Sequence, residues 1–326
     1  MKKQVLEAWQ LKQNGDGQLS TWLAAQVPGN VQQTLLEANL ISDPFYGLNE
    51  KDIQWIGESD WLYRTTFQIT QEMLDQPYLD LYFDGLDTFA TVSLNGQEVL
   101  GSNNMFVPHR LNIKSFARVG DNELVIHFES ATRRGKELET LHGKRPNWNG
   151  DSSRLFVRKA QYHYGWDWGP VVMCLGPWRD VYVESYSTRI ADVLTTTKLS
   201  SDFSQAELDV TVTLEGAPSE VRLELYSPDG KLLDSATTLQ HIFKLENPHL
   251  WYPHGYGEQP LYKLVVKCAD ETKEFNIGFR DVQIVQEPVA GESGSSFFFK
   301  VNGIEMFVGG ANWIPDDIML NRISDA

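Results

Sequence analysis

The chain has 326 residues, enough for two compact domains that each bury a sizeable core. Hydrophobic residues make up 41% and charged residues 22%, the balance of an ordinary globular protein. Lys and Arg total 28 against 44 Asp and Glu, and the resulting −16 repels phosphate and anionic lipid, which argues against nucleic acid and membrane partners and favours a neutral substrate.

At the start, Met1-Lys2-Lys3 is followed by no apolar run, because Glu7, Gln10 and Lys12 interrupt it. A cytoplasmic protein is the expectation, although a leader already removed would leave the same trace. One helix stands out, over 31–38, where Val31, Leu35 and Ala38 share a face after Pro28-Gly29-Asn30. Strand signals dominate from there. Residues 79–83 alternate apolar and polar; 89–94 run through Asn95-Gly96 into 97–100, a hairpin; 124–128 and 181–183 follow. Short strands at this density predict a jelly-roll β-sandwich over 1–188.

Inside that domain lies the densest functional segment, Gln161-Tyr162-His163-Tyr164-Gly165-Trp166-Asp167-Trp168-Gly169-Pro170. An aromatic face can meet the apolar C–H face of a pyranose, and a carboxylate can accept from two vicinal hydroxyls, so Trp166 and Asp167 suit sugar binding. Asp167 is read as held between two indoles, with Gly169-Pro170 stiffening the turn, and 162–164 as a strand with one polar face. The competing reading packs the aromatics inside the sandwich and leaves Asp167 capping backbone N–H groups. The 10 Trp of the chain are compatible with either.

Near Ile190 the pattern changes. Leu208, Val210, Val212 and Leu214 alternate strictly, as do Val221, Leu223 and Leu225, and 261–266 and 274–277 add further strands. An immunoglobulin-like β-sandwich over 189–286 is predicted, making the chain all-β. Residues 287–296, with Pro288, Gly291 and Gly294, form a linker. A hairpin at Asn302-Gly303 then leads into 307–315, an apolar, glycine-rich run that looks like a strand buried on both faces, as in a parallel barrel. Eleven residues remain, too few for a crossover helix and its partner strand, so 287–326 reads as a linker plus the start of a truncated (β/α)8 barrel.

Cys174 and Cys268 fit neither a disulfide framework nor a metal site and are expected as isolated buried thiols. The histidines are too scattered to hold a metal, and there is no dinucleotide fingerprint, phosphate loop or nucleophile elbow, so no cofactor is predicted. Asp316-Asp317 is expected as a solvated loop with diverging side chains.

Taken together, Val27-Pro28-Gly29, Asp43-Pro44-Phe45-Tyr46-Gly47, Gln54-Trp55-Ile56, Asp60-Trp61-Leu62-Tyr63-Arg64 and the Trp166-Asp167-Trp168-Gly169-Pro170 loop resemble the β-mannosidases of glycoside hydrolase family 2. Leu250-Trp251-Tyr252-Pro253-His254-Gly255-Tyr256-Gly257, Gly278-Phe279-Arg280 and Gly309-Gly310-Ala311-Asn312-Trp313-Ile314-Pro315 continue the resemblance nearly to the end. It implies a jelly roll, an immunoglobulin-like domain and a catalytic barrel that removes terminal non-reducing β-D-mannose with retention. In that chemistry a glutamate acid/base and a glutamate nucleophile stand about 5–5.5 Å apart, both late in the barrel. Asn49-Glu50 and Asn122-Glu123 follow no barrel strand, so no catalytic residue is assigned in this chain and it is expected to be inactive alone. By the match, Trp166 and Asp167 would touch the terminal sugar, Asn312 and Trp313 would line the pocket floor, and Arg280 would make a domain-interface ion pair. The partners implied are a β-mannoside or mannose-terminated oligosaccharide and the barrel of the same polypeptide. Two alternatives remain: a free-standing carbohydrate-binding module, and a family 2 exo-glycosidase of other specificity such as an exo-glucosaminidase.

Overall fold

The computed structural model describes residues 2–15, 17 and 19–324. They form two compact units, one of residues 2–186 with 314–324, the other of 187–313. The stretch expected as linker and barrel start is thus divided between the two.

The first unit contains β1 (Lys2–Val5), β2 (Trp9–Gln13), β3 (Leu23–Ala25), β4 (Trp61–Ile69), β5 (Tyr78–Phe83), β6 (Phe89–Leu94), β7 (Gln97–Asn103), β8 (His109–Asn112), β9 (Gly120–Glu129) and β10 (Val181–Tyr186). A six-stranded sheet runs β3-β2-β4-β9-β6-β7 and a four-stranded sheet β1-β10-β5-β8, with every pairing antiparallel. Alternating residues of both sheets, among them Leu11, Tyr63, Leu81, Val92, Ile126 and Val183, meet in one buried cluster. Period-two alternation places each of these on the inner face, which makes this a sandwich. The β6–β7 hairpin turns at Asn95 and Gly96, with φ of 52° and 80°. Two successive positive φ angles are the type I′ geometry that Asn-Gly favours.

The expected helix is present as Val31–Glu37, capped by Asn30, whose side chain accepts from the Gln33 N–H at 2.8 Å. A second, longer helix, Ala131–His142, was not expected. Its inward stripe is Ala131, Gly135 and Leu138, a single large apolar residue, which does not register as an apolar face. Val157 packs closely against it because Gly135 has no side chain: a Cβ there would stand 3.0 Å from Val157 Cγ2 and 3.1 Å from Ser153 O. Ser130 caps this helix by accepting from the Arg133 N–H, and Arg133 and Arg134 pair with Glu137.

The second unit contains a three-stranded sheet (Thr188–Leu199, Gln205–Gly216, Gln240–Glu246) and a four-stranded one in the order Leu232–Thr237, Val221–Tyr226, Tyr262–Cys268, Glu271–Ile277. Between them Leu208, Val210, Leu223, Phe243, Leu264 and Phe279 are buried together, the core of a seven-stranded immunoglobulin-like sandwich. Arg280 makes no ion pair among the described residues; its guanidinium lies 4.6 Å from the Trp251 ring centroid. A third small sheet (Val282–Val285, Phe298–Val301, Ile304–Met306) includes the Asn302-Gly303 hairpin. Residues 307–315, expected as a strand, are irregular. A strand buried on both faces needs neighbours to take its backbone hydrogen bonds, and no described strand pairs with this run. Phe307 (87%) and Trp313 (88%) are exposed instead.

Residues 314–324 pack onto the jelly roll. Ile318 and Met319 lie in its buried cluster. Asn321 Nδ2 donates to Trp178 O at 2.6 Å. Asp316 is exposed, whereas Asp317 is not a free loop residue: it accepts from the Met319 N–H and pairs with Arg322, which fixes the turn that buries Ile318.

Candidate functional site: an aspartate at the tip of an aromatic turn

Trp166 and Gly169 exchange both backbone hydrogen bonds, N–H to O distances being 3.2 and 3.3 Å, so Asp167 and Trp168 occupy the two corners of a tight turn. Asp167 is exposed at the tip. The carboxylate is therefore not sealed in the sandwich, and the packed-core reading fails for it. The turn is entered through Gly165, whose φ is +87° and whose Cβ, if present, would meet Val171 Cγ2 at 2.7 Å. Only glycine fits both constraints.

The two indoles do not flank Asp167. Trp168 turns inward to Tyr162, with ring centroids 5.7 Å apart, and packs on the main core. Trp166 and Trp148 lie edge to face with ring centroids 5.7 Å apart, and the guanidinium of Arg154 lies 5.5 Å from the Trp166 ring. One tryptophan anchors the turn and the other is left to form a wall. Residues 161–164 are a 3-10 helix rather than the expected strand, because the left-handed Gly165 closes the helix and no neighbouring strand is available. His163 is consequently buried.

The open side of the turn borders a concavity of about 570 Å³ lined by residues including Phe45, Glu50, Asn149, Tyr164, Trp166, Asp167 and Pro170. That volume accommodates a pyranose or a small glycoside. Glu50 holds the far end of the loop: its Oε2 accepts from the Val171 N–H at 2.9 Å, and Gln54 Nε2 donates to Val171 O at 2.9 Å. Asn312 and Trp313 are not among the lining residues; they are exposed at the end of the 187–313 unit. No group of three or more His, Cys, Asp or Glu among the described residues could hold a metal.

Directly behind the turn is a cluster that sequence reading missed. Lys159 is buried, and its Nζ donates to Asp87 Oδ2 (3.1 Å), His163 Nδ1 (3.0 Å) and Cys174 O (2.6 Å). Three donors meet three acceptors, which is the condition for keeping an ammonium in the interior. Asp87 also accepts from the Thr88 hydroxyl. Burial pushes the Asp87 carboxyl up, and Lys159 and Thr88 pull it back. Since Nδ1 of His163 accepts, its proton is on Nε2, which donates to Ile318 O at 3.2 Å. Burial and the adjacent Lys159 charge hold this imidazole well below its ordinary pKa, so it stays neutral. Burial likewise pushes the Cys174 thiol up to about 12, and both cysteines are free and buried as expected. The same strap that His163 holds also backs the turn: a Cβ on Gly169 would lie 2.9 Å from Ile318 Cδ1. Arg322 covers Phe45 on the rim, 5.4 Å from its ring.

Residues 9–179 match the glycosyl hydrolase 2 galactose-binding domain-like family, and residues 188–280 match the glycosyl hydrolases family 2 domain. A β-mannosidase B from Thermothelomyces thermophilus is 41% identical over 334 residues, covering 97% of this chain and 38% of that protein. One from Aspergillus clavatus is 40% identical over 337 residues, covering 98% and 39%. The chain thus spans about two fifths of the length of the curated relatives it matches. Among solved structures, a β-D-mannosidase from Dictyoglomus thermophilum superposes with a TM-score of 0.92 at 33% identity, covering 99% of this chain and 41% of that one. An exo-chitosanase from Amycolatopsis orientalis, at 18% identity and a TM-score of 0.67 with 99% and 38% covered, shares the fold.

Proposed function

Because the chain belongs to glycosyl hydrolase family 2, we propose that it forms the sugar-facing front of a β-mannosidase whose glutamate pair lies outside these 326 residues. The whole protein would hydrolyse terminal non-reducing β-D-mannose with retention. Trp166 would offer an aromatic wall to the C–H face of that sugar, and Asp167 would accept from two of its hydroxyls. Asn312 and Trp313 would complete the pocket once a barrel is assembled around residues 307–315. One observation carries the reading: Asp167 stands exposed on the rim of a sugar-sized concavity, on a turn hydrogen-bonded to Glu50 and Gln54 at its far end and backed by Ile318. Such support matters because a backbone already placed before binding costs less entropy when its side chain grips the ligand.

The test is hydrolysis of p-nitrophenyl β-D-mannoside by the complete protein and its Asp167→Ala variant. Losing hydrogen bonds to a charged group should lower kcat/KM by about 10- to 100-fold. The 326-residue chain by itself should release no p-nitrophenol. Unchanged kcat/KM in the variant would remove Asp167 from the site, and turnover by the chain alone would place the catalytic carboxylates within it.

A further inference from the structure

Trp148 belongs to none of the buried clusters and is 79% exposed, yet it does not hang loose. Its loop, between the helix Ala131–His142 and the short helix Ser152–Phe156, is pinned at several points. Asn147 Nδ2 donates to the carbonyls of Asn149 (2.7 Å) and Gly150 (2.9 Å). Arg154 Nη2 donates to Asn149 Oδ1 at 2.7 Å. Arg154 is itself buried and lies against Trp166, so one guanidinium sets both the loop that carries Trp148 and the indole beside it. The next two residues, Asn149 and Gly150, line the same concavity as Asp167.

A large indole in water, on a hydrogen-bonded loop whose next two residues line a cavity, contributes nothing to the core and leaves apolar surface available for contact. Its geometry narrows what that contact can be. The Trp148 and Trp166 ring planes stand at 78° with centroids 5.7 Å apart. A single pyranose presents a flat apolar face to one wall, and two nearly perpendicular walls cannot both stack on it. The second wall therefore suits a second ring, joined to the first through a glycosidic bond that turns the chain between the two planes. The polar surroundings, Asn147 and Asn149, match hydroxyl-rich ligand rather than protein core.

We propose that Trp148 is a specificity-determining residue, the aromatic wall of a second saccharide subsite that takes the ring linked to the terminal sugar. This rests on the reading that Trp166 and Asp167 face that terminal sugar. It follows that the chain distinguishes β-linked manno-oligosaccharides from simple mannosides through Trp148.

The experiment compares kcat/KM of the complete protein for methyl β-D-mannoside and for β-1,4-mannobiose with that of its Trp148→Ala and Asp167→Ala variants. In Trp148→Ala the disaccharide should lose about two- to tenfold in kcat/KM while the methyl mannoside is turned over as before. Trp148 is on the surface and outside the core, and the unchanged rate on the methyl mannoside will show that the variant is folded. If Trp148→Ala keeps the full preference for the disaccharide, the second subsite is wrong, and Trp148 is left to contact another part of the polypeptide. If Asp167→Ala leaves kcat/KM unchanged for both substrates, the terminal-sugar reading fails instead. Those two results are separately recognisable.

Discussion

His163→Gln is the variant that probes the support of the turn most selectively. Glutamine can accept from Lys159 through Oε1 and donate to Ile318 O through Nε2, keeping both hydrogen bonds of the imidazole. What it removes is a titration. In the folded chain His163 is held neutral far below its ordinary pKa, by burial first and by Lys159 second; Asp87 Oδ2, the remaining charge facing it, is 3.6 Å away and already paired with Lys159. In the unfolded chain the same imidazole has a pKa of about 6.5. The folded pKa is depressed, so below pH 6.5 the unfolded state binds a proton that the folded state refuses. Stability is then lost as pH falls, by about 1.4 kcal/mol per unit. Between pH 7.5 and pH 5.0 the loss attributable to His163 is at most about 2 kcal/mol, which corresponds to about 4–8 °C in Tm for a domain of this size. Other histidines and carboxylates titrate in the same window, but they do so alike in both proteins. Calorimetric melts of the two chains should therefore change their separation across that range, with the native protein losing more on acidification. Parallel curves with a constant offset would show that His163 takes up a proton as readily in the folded chain as in the unfolded one, and would refute the neutral imidazole that accepts from Lys159 at Nδ1.

Gly165→Ala should destabilise the first unit by about 1–3 kcal/mol, since φ is +87° and the new Cβ would collide with Val171; the melt would read it, and no change in Tm would mean the turn relaxes freely. Ile318→Ala empties a core position at 1% exposure and should cost about 2–5 kcal/mol, with faster amide exchange in 165–170 as the turn loses its backing. Wild-type exchange in that segment would separate the strap from the turn. Neither Cys174 nor Cys268 should react with a thiol reagent at pH 8 before unfolding, because both are buried and the Cys174 thiol is pushed up to about 12. Prompt labelling of one thiol in the native protein would contradict that burial.

The sandwich strands were legible because alternation has one structural meaning: Leu79, Leu81 and Phe83 can all be buried only if 78–83 is extended across a core. The Asn-Gly hairpins were legible because the turn chemistry is local. The helix Ala131–His142 was not, since its packing face offers one leucine, Leu138, beside an alanine and a glycine, and what marked it was subtler: a Ser130 cap and Arg–Glu pairs three and four apart. At the site, Trp166 and Asp167 could be picked out from their chemistry, but the opposite fates of the two tryptophans could not, because Trp168 is drawn inward by Tyr162 and Trp166 is held at the surface by Arg154. The Lys159 cluster had no sequence signature. Its members come from positions 87, 159, 163 and 174, and a lysine is ordinarily read as solvated until its three acceptors are seen. Residues 307–315 carry the composition of a doubly buried strand without described neighbours to pair with, so pattern and conformation part company there.

The most direct measurement is a crystal structure of the complete protein with a mannose-configured inhibitor bound. We predict the Asp167 carboxylate within about 2.5–3.2 Å of two adjacent sugar hydroxyls, with the Trp166 indole against the same ring. A sugar seated elsewhere, with Asp167 turned to solvent and touching no ligand oxygen, would contradict the account.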